Sequence, residues 1–365
     1  MRSTGGIGDG VAGSAAGGAG KTDLLMVKDL KMYFDTPDGL VKAVDGVSFT
    51  LNLGETLGVV GESGCGKSVT AMTIMGLVLM PPGKVHGGEI LFKGRSLLNI
   101  AEKDFQRIRG NNIAMIFQDP LSSLNPVYRV GMQVGEGLRV HKGYNRKRAL
   151  ERAIELLDMV GIPNAAQRAR DYPHQFSGGM LQRAMIAMAL ACDPEILIAD
   201  EPTTALDVTI QAQILELMQS LQQRTGSAII IITHDLGVVA DMADRILVMY
   251  AGRPVEYGSA EEIFYRPLHP YTWGLMRSIP KRTVDDKQPL TPIKGNPPSL
   301  INLPEGCAFS PRCPYAQARC LAEDPILEKI DGEHSSACLF SRDASFLENS
   351  PIFDGSRPTK GSDNG

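Results

Sequence analysis

The sequence predicts an α/β fold: a mixed sheet with an antiparallel edge and a helical subdomain, followed by a small cysteine-rich C-terminal extension. Short apolar runs that end in polar residues predict the strands, and segments of helical periodicity between them predict the helices. Four cysteines that cluster late in the chain mark the extension. A chain of 365 residues is long enough for one large domain with such an appendage.

Composition excludes several classes of protein. The 37 basic and 41 acidic residues give a net charge of −4, which argues against a surface made for nucleic acid, so we expect no nucleic-acid partner. The longest apolar runs, 71–80 and 227–232, are far shorter than the roughly 20 residues of a membrane-spanning helix. Residues 1–22 lack the apolar core of a signal peptide. We expect flexible tails at 1–22 and 346–365.

The first element with a chemical signature is residues 57–68, which read LGVVGESGCGKS. An apolar strand runs into a glycine-rich turn and then a helix, and the spacing fits G-x-x-x-x-G-K-[ST], the P-loop or Walker A pattern. Glycines let backbone N–H groups turn toward phosphate oxygens, and Ser68 offers a hydroxyl to Mg²⁺. The alternative is a glycine-rich turn that matches by chance. The candidate cradle is Gly61, Glu62, Ser63, Gly64, Cys65, Gly66, Lys67, Ser68 and Val69.

Before this loop, residues 24–34 and 47–53 have strand patterns and flank a turn at 36–39, which predicts an antiparallel edge. Tyr33 and Phe34 lie where a ring could stack on a nucleotide base, although core packing is the commoner role of an aromatic residue in a strand.

After the loop, a strand at 113–117 ends at Gln118, and the strand ends of parallel sheets are where ligands bind. Solvent exposure of a chain exit explains a glutamine equally well. Residues 119–185 form the predicted helical insert, and its segment 144–161 carries apolar residues at helical spacing. The predicted buried face is Leu150, Ile154, Leu157 and Val160.

Ser177, Gly178 and Gly179 precede an apolar helix. Ser177 reads as its N-cap. Two glycines directly after it cost helix stability, so they suggest that a ligand such as a phosphate approaches the backbone closely.

Two further buried strands end in polar residues. The run 196–199 ends in Asp200 and Glu201, adjacent carboxylates that repel each other unless a cation such as Mg²⁺ lies nearby. The run 227–232 brings His234 to the same edge. Residues 205–207, ending in Asp207, begin the helix between these strands.

Together these motifs resemble the nucleotide-binding subunit of an ATP-binding cassette (ABC) transporter over about residues 23–265. The resemblance implies a P-loop ATPase that works as a head-to-tail dimer, in which Ser177, Gly178 and Gly179 of one cassette close over the ATP of the other. It further implies the role of each remaining site residue. Glu201 positions or activates water, and His234 contacts the γ-phosphate. Gln118 and Ser68 serve Mg²⁺ with Asp200, Asp207 of the loop 205–207 binds the nucleotide, and Phe34 stacks on adenine. The family usually has glutamine at Met180, and we expect activity to survive this difference.

Further motifs resemble the dipeptide/oligopeptide importer branch of the family: FQDP at 117–120, YPHQ at 172–175 and HPYT at 269–272. This implies a peripheral subunit on the cytoplasmic face of the membrane that docks on two permease subunits through residues 118–132. Its other partners are a second cassette, in a heterodimer or alternatively a homodimer, and an extracytoplasmic peptide-binding protein. The alternatives are a cassette ATPase acting on DNA or the ribosome, and an importer of another solute such as nickel, glutathione or an opine-like compound.

The extension, residues 266–345, holds a C-x5-C-x6-C-x17-C pattern formed by Cys307, Cys313, Cys320 and Cys338. Four thiols in a proline-rich segment suggest a metal that supplies folding energy. Zinc and iron–sulfur both accept four thiolates, His334 is an alternative zinc ligand, and reduced free thiols remain possible. A similar tail in the importer branch implies a [4Fe-4S] cluster, with zinc as the alternative.

Overall fold

A computed structural model describes residues 23–203, 207–278 and 292–352. The strands are β1 (Leu25–Thr36), β2 (Gly39–Leu51), β3 (Thr56–Val60), β4 (Gly83–Phe92), β5 (Arg95–Ser96), β6 (Ile113–Ile116), β7 (Ile196–Asp200), β8 (Ala228–Thr233), β9 (Arg245–Tyr250), β10 (Arg253–Ser259), β11 (Glu328–Asp331) and β12 (His334–Ser336). The helices are α1 (Lys67–Ile74), α2 (Glu102–Ile108), α3 (Pro120–Ser123), α4 (Val130–Val134), α5 (Glu136–His141), α6 (Arg146–Met159), α7 (Ala165–Arg168), α8 (Gly178–Leu190), α9 (Val208–Thr225), α10 (Leu236–Met242), α11 (Ala260–Tyr265), α12 (Pro270–Arg277), α13 (Ala318–Ala322) and α14 (Ala344–Leu347). No helix in these ranges is long and apolar enough to cross a membrane.

The main sheet has eight strands in the order β11-β12-β10-β9-β3-β8-β7-β6. Its centre is parallel, because β3 pairs with β8 and β9, and β7 pairs with β8 and β6, all in the same direction. Every residue of β3, β7 and β8 is buried, as continuous apolar runs in a covered parallel sheet predict. The carboxyl ends of these strands therefore meet at one edge, which is where the polar residues follow.

The N-terminal hairpin does not extend this sheet, contrary to our expectation of an antiparallel edge there. Instead β1 pairs antiparallel with β2 and β4 in a separate four-stranded sheet, whose buried face packs on the main sheet in one apolar cluster. The antiparallel edge of the main sheet is built by β10, β12 and β11. A hairpin with one apolar face can bury that face either as an extension of the main sheet or as a separate sheet packed on it. The pattern of apolar residues alone therefore does not decide between these two arrangements.

Helices α3 to α8 lie between β6 and β7. Leu157 and Val160 are buried as predicted, but the other two predicted positions of α6 are not. Leu150 is 37% exposed and Ile154 only partly buried. The buried residues of α6 are Ala149, Ala153, Leu156 and Leu157. Alanine is a weak hydrophobic signal in a sequence, yet its small side chain lets two helices approach closely, and α8 shares an apolar cluster with this face.

The C-terminal extension is joined to the main domain by a buried carboxylate. Glu256 on β10 is fully buried and accepts hydrogen bonds from the backbone N–H groups of Leu268 and His269 and from the hydroxyl of Thr272. His334 Nε2 lies 2.8 Å from Glu256 Oε1. His334 is therefore held by Glu256 through one ring nitrogen, and its expected alternative role as a zinc ligand stays a prediction.

The ordered extension also runs past residue 345. Phe346 is 6% exposed and packs against Trp273, Tyr315 and Phe340, although we expected a flexible tail from this residue. The flexible tail expected at 1–22, and the part of the expected C-terminal tail at 353–365, lie outside the described residues. The extension adds β12 and β11 to the sheet of the main domain. The domain boundary expected between residues 265 and 266 stays a prediction.

Candidate active site

The loop between β3 and α1 is a tight cradle held by its own chain. Gly61 and Gly66 have φ angles of +150° and +102°, and a Cβ on either would lie 2.2 Å from a backbone oxygen, of Met249 and Ala43 respectively. Only glycine fits both the backbone conformation and the space. Around these two glycines, Ser63 and Gly64 are exposed, Cys65 is buried, and Glu62 and Val69 are partly buried.

Lys67 lies inside this cradle with 5% of its surface exposed. Its Nζ donates to the carbonyl oxygens of Gly61, at 2.7 Å, and Glu62, at 3.0 Å. The ammonium group thus sits at the centre of the loop, where it can meet the outer phosphates of a nucleotide.

Next to the loop, the Ser68 hydroxyl donates to Asp200 Oδ1 over 2.9 Å. Asp200 is 5% exposed; burial raises the pKa of its carboxyl, and the neighbouring charge of Glu201 acts in the same direction. The Ser68 hydroxyl and the Asp200 carboxylate together offer oxygen atoms of the kind that Mg²⁺ binds. A cation at this point would also favour the ionised form of the buried carboxyl. The residues expected to serve the metal therefore fit it.

Glu201 is the meeting point of three strand ends. Gln118, after β6, donates from Nε2 to Glu201 Oε2 over 2.8 Å, and His234, after β8, places Nδ1 3.4 Å from Glu201 Oε1. The backbone of Glu201 has a φ of +47° and its N–H bonds the Ile232 carbonyl at 2.8 Å. The expected convergence of Gln118, Asp200, Glu201 and His234 is thus present in the structure.

The signature residues lie elsewhere. Ser177 caps α8 by accepting from the Met180 N–H at 3.3 Å, and both Ser177 and Gly178 are exposed. Among the described residues, the hydrogen bonds that join the site include none from Ser177, Gly178 or Gly179. Met180 packs on the core of the helical subdomain. The role of these residues in a partner's site stays a prediction.

Two other expected residues have local roles. Asp207 caps α9 by accepting from the Ile210 N–H at 3.0 Å, while residues 205 and 206 of the same motif lie outside the described residues. Phe34 is half-buried against the core beside Gly83, and the neighbouring Tyr33 stacks on His86 with its hydroxyl on Asp45. Adenine stacking by Phe34 stays a prediction.

Comparison with known proteins decides the family. Residues 44–204 match the ABC transporter family model, and residues 255–320 match a model described as the C-terminal region of oligopeptide/dipeptide transporters. The chain is 55% identical over 313 residues to the oligopeptide transport ATP-binding protein OppD of Bacillus subtilis (strain 168), covering 86% of this chain and 87% of the relative. It is 54% identical to OppD of Salmonella typhimurium, over 87% of this chain and 93% of the relative.

The chain belongs to the ABC transporter family, among the ATP-binding subunits of its oligopeptide/dipeptide branch. It is an ATPase subunit. Among solved structures, a dimeric post-hydrolysis state of the ATP-binding cassette MJ0796 bound to ADP and phosphate is similar, with a TM-score of 0.59 and 27% identity over 65% of this chain and 98% of the other.

In this cassette the four late cysteines converge on one cavity. Cys307, Cys313, Cys320 and Cys338 line one cavity with a volume of about 20 Å³, room for roughly a single water. Burial raises the pKa of Cys313 to about 11 and that of Cys338 to about 12. In the part of the chain that the structure describes, no group of three or more His, Cys, Asp or Glu side chains is arranged to hold a metal ion. Neither zinc nor an iron–sulfur cluster is therefore supported by the structure or the comparisons.

Residues that no sequence pattern assigns to the site support it from a distance. Gln182 on α8 donates to the Pro202 carbonyl at 2.6 Å, next to Glu201. Tyr271 and Arg312 of the extension reach Glu62 in the phosphate loop. Tyr271 lies in the HPYT motif, which was recognised as a family resemblance and not as part of the ATP site. For Arg312 there is no such signal, because no spacing or periodicity connects it with a loop 250 residues earlier.

Proposed function

We propose that this cassette hydrolyses ATP to drive import of oligopeptides or dipeptides through a membrane permease. The observation that carries the catalytic part is Glu201, whose carboxylate is oriented by Gln118 beside the Ser68–Asp200 pair and the phosphate loop. The peptide part rests on the relatives, which are named as oligopeptide transport proteins, and on the matched C-terminal region.

The chemistry follows from the positions of these groups. The loop amides and Lys67 bind the phosphates. Ser68 and Asp200 would hold Mg²⁺, which would supply positive charge to offset that of the phosphates. Glu201 orients a water molecule in line with the γ-phosphate and accepts its proton. The water oxygen forms a bond to the γ-phosphorus while the bond from that phosphorus to the bridging oxygen breaks, which releases ADP and phosphate. His234, at the neighbouring strand end, contacts the γ-phosphate. Catalysis therefore comes from positioning and charge stabilisation.

The complete ATP site needs a second cassette. Ser177 and Gly178 are exposed at the start of α8, where a partner's nucleotide can reach the free backbone N–H groups. We propose a head-to-tail dimer, with a similar but different cassette as the partner and a homodimer as the alternative. The dimeric form of the related cassette MJ0796 supports this arrangement.

The permease is proposed to dock beside Gln118. The surface over residues 118–132, together with the adjacent Phe117, exposes large apolar side chains, which supports an interaction there. These are Phe117, Leu121, Val127, Tyr128 and Met132, between 37% and 70% exposed. We place the subunit peripherally on the cytoplasmic face of the membrane, with two permease subunits and an extracytoplasmic peptide-binding protein as partners.

The test is reconstitution of this cassette with its permeases, partner cassette and binding protein in vesicles that contain ATP. We expect a labelled oligopeptide to be taken up, and the binding protein loaded with peptide to raise ATP hydrolysis. Uptake of nickel, glutathione or an opine-like compound instead of peptide would overturn the substrate assignment. ATP hydrolysis that responds to DNA or ribosomes but not to the permease would overturn the transport function.

We also propose that the four cysteines of the extension bind a [4Fe-4S] cluster, with zinc as the alternative. The support is that four thiols line one cavity, which must widen to admit a cluster. Bound iron would favour the thiolates that burial alone disfavours. The measurement is iron, zinc and labile sulfide in protein prepared without oxygen, with Cys313→Ser as the variant and Cys192→Ser, at a buried cysteine outside the cavity, as the control. An iron-free, colourless wild-type preparation would remove the iron–sulfur proposal.

A further inference from the structure

A buried arginine of the C-terminal extension is bound to the phosphate loop. Arg312, with 5% of its side chain exposed, donates to both carboxylate oxygens of Glu62 at 2.6 and 2.9 Å. Two further N–H groups bond the Lys294 carbonyl at 3.0 Å and the Tyr250 hydroxyl at 3.3 Å. These hydrogen bonds fix the orientation of the guanidinium, and two of them are made to Glu62 in the phosphate loop.

Glu62 is held by its backbone as well as by its side chain. Its N–H donates to the Tyr271 hydroxyl over 2.8 Å, and its carbonyl accepts from Lys67 Nζ at 3.0 Å. Tyr271 is fully buried and packs against Tyr250 and Phe309. The extension therefore holds the second residue of the P-loop at two points, while the lysine that meets phosphate holds it at a third.

The charge of Glu62 gives this contact a consequence for binding. A carboxylate within the phosphate loop repels the phosphates of ATP, and the repulsion is strong where water is partly excluded. A bidentate guanidinium offsets that charge and also fixes its geometry. The hydrogen bonds to Glu62 hold the pKa of Arg312 above its usual range, so the compensating charge is permanent.

We propose that Arg312 is a positioning residue for ATP: by pairing with Glu62 it cancels the carboxylate charge and fixes the phosphate loop, so the C-terminal extension contributes to nucleotide affinity. The proposal rests on the nucleotide site described above. It gives the extension a role in the ATP site of its own chain, separate from any metal that the cysteines bind.

The decisive experiment is a thermodynamic cycle on the full chain, read out as the dissociation constant of a fluorescent ATP analogue with Mg²⁺. We expect Arg312→Gln to weaken binding about tenfold, because Glu62 is left unpaired beside the phosphates. The double variant Arg312→Gln/Glu62→Gln is expected to recover most of that loss, since the repelling charge is gone. Arg312→Lys keeps the charge but not the bidentate geometry, so its affinity for the nucleotide is expected to lie between those of Arg312→Gln and the wild type.

Arg319→Gln is the matched control, because Arg319 also pairs with a carboxylate in the extension, that of Glu323, but at an exposed position. It is expected to bind nucleotide like the wild type. In the assembled transporter, Arg312→Gln is expected to raise the KM for ATP more than it lowers kcat. Melting curves of all variants show whether a loss of binding follows a loss of folding.

The outcomes are distinguishable. Wild-type affinity in Arg312→Gln, or a double variant no better than the single one, would overturn the role of Arg312 and leave the ATPase assignment intact. If Arg312→Gln does not fold, wild-type affinity in Arg312→Lys overturns the positioning role, and intermediate affinity supports it. A wild-type chain that binds no nucleotide would overturn the site itself.

Discussion

Two helix N-termini in this cassette carry glycines that we propose to bind phosphate, and they differ in what surrounds them. At the start of α1, a Cβ on Gly66 would lie 2.2 Å from the Ala43 carbonyl. At the start of α8, a Cβ on Gly178 would meet nothing within 4 Å. The first terminus is enclosed by its own chain, whereas the second is open. The packing around Gly66 requires glycine for the fold itself, whereas the packing around Gly178 does not.

The largest expected effect is on ATP turnover, and it separates hydrolysis from nucleotide binding at the site that includes the start of α1. Glu201→Gln should lower the ATP turnover of the assembled transporter by about 10²–10³-fold, because the group that accepts the proton of water is lost. Nucleotide binding should persist, since the phosphate loop is unchanged. Turnover near the wild-type rate would show that another residue activates water.

Ser177→Arg tests the open terminus. A long charged side chain at this exposed cap should lower turnover in the assembled pair by about 10²-fold, because it blocks the donors to the partner's phosphate. Binding of nucleotide to the isolated chain should stay at the wild-type level. If binding to the isolated chain also fell, α8 would serve the same site as α1 and the two termini would not belong to different sites.

A pair of alanine substitutions compares the two termini in stability. Gly66→Ala should lower the free energy of unfolding by about 2 kcal/mol or more, since the new methyl group overlaps a backbone oxygen in a left-handed conformation. Gly178→Ala should change it by less than about 1 kcal/mol, in the stabilising direction, because alanine favours the helix. Denaturation midpoints of the two nucleotide-free variants provide the measurement. Equal destabilisation would contradict the difference in packing.

The smallest expected effect is the pH dependence at Asp200. Burial raises the pKa of this carboxyl in the folded chain, so the folded state keeps its proton at a pH where the unfolded state has released it. Stability from this group is therefore lost as pH rises from the ordinary aspartate pKa through the raised one. Asp200→Asn should raise the melting temperature of the nucleotide-free chain at neutral pH by no more than a few degrees, and should weaken Mg²⁺–ATP binding. A lower melting temperature would mean that the ionised carboxylate is stabilising.

Much of the ATP site was predictable because its parts follow local rules. The P-loop spacing fixes a strand, a turn and a helix, and the apolar runs before Gln118, Asp200 and His234 identify buried parallel strands. Since such strands run in the same direction, their following residues must share one edge. The family motifs add the roles of these residues, and the comparisons confirm the family.

The residues that end the central strands can be identified from the amino-acid sequence alone, because burial of a parallel strand on both faces leaves a continuous apolar run. How distant segments meet became known only from the fold. The side of α6 that is buried, the separate sheet of the N-terminal hairpin, the Glu256–His334 contact and the hold of Arg312 on Glu62 depend on packing between segments far apart in the chain. Such contacts leave no periodic trace, because each requires only one residue of the right charge or size at one place in the fold.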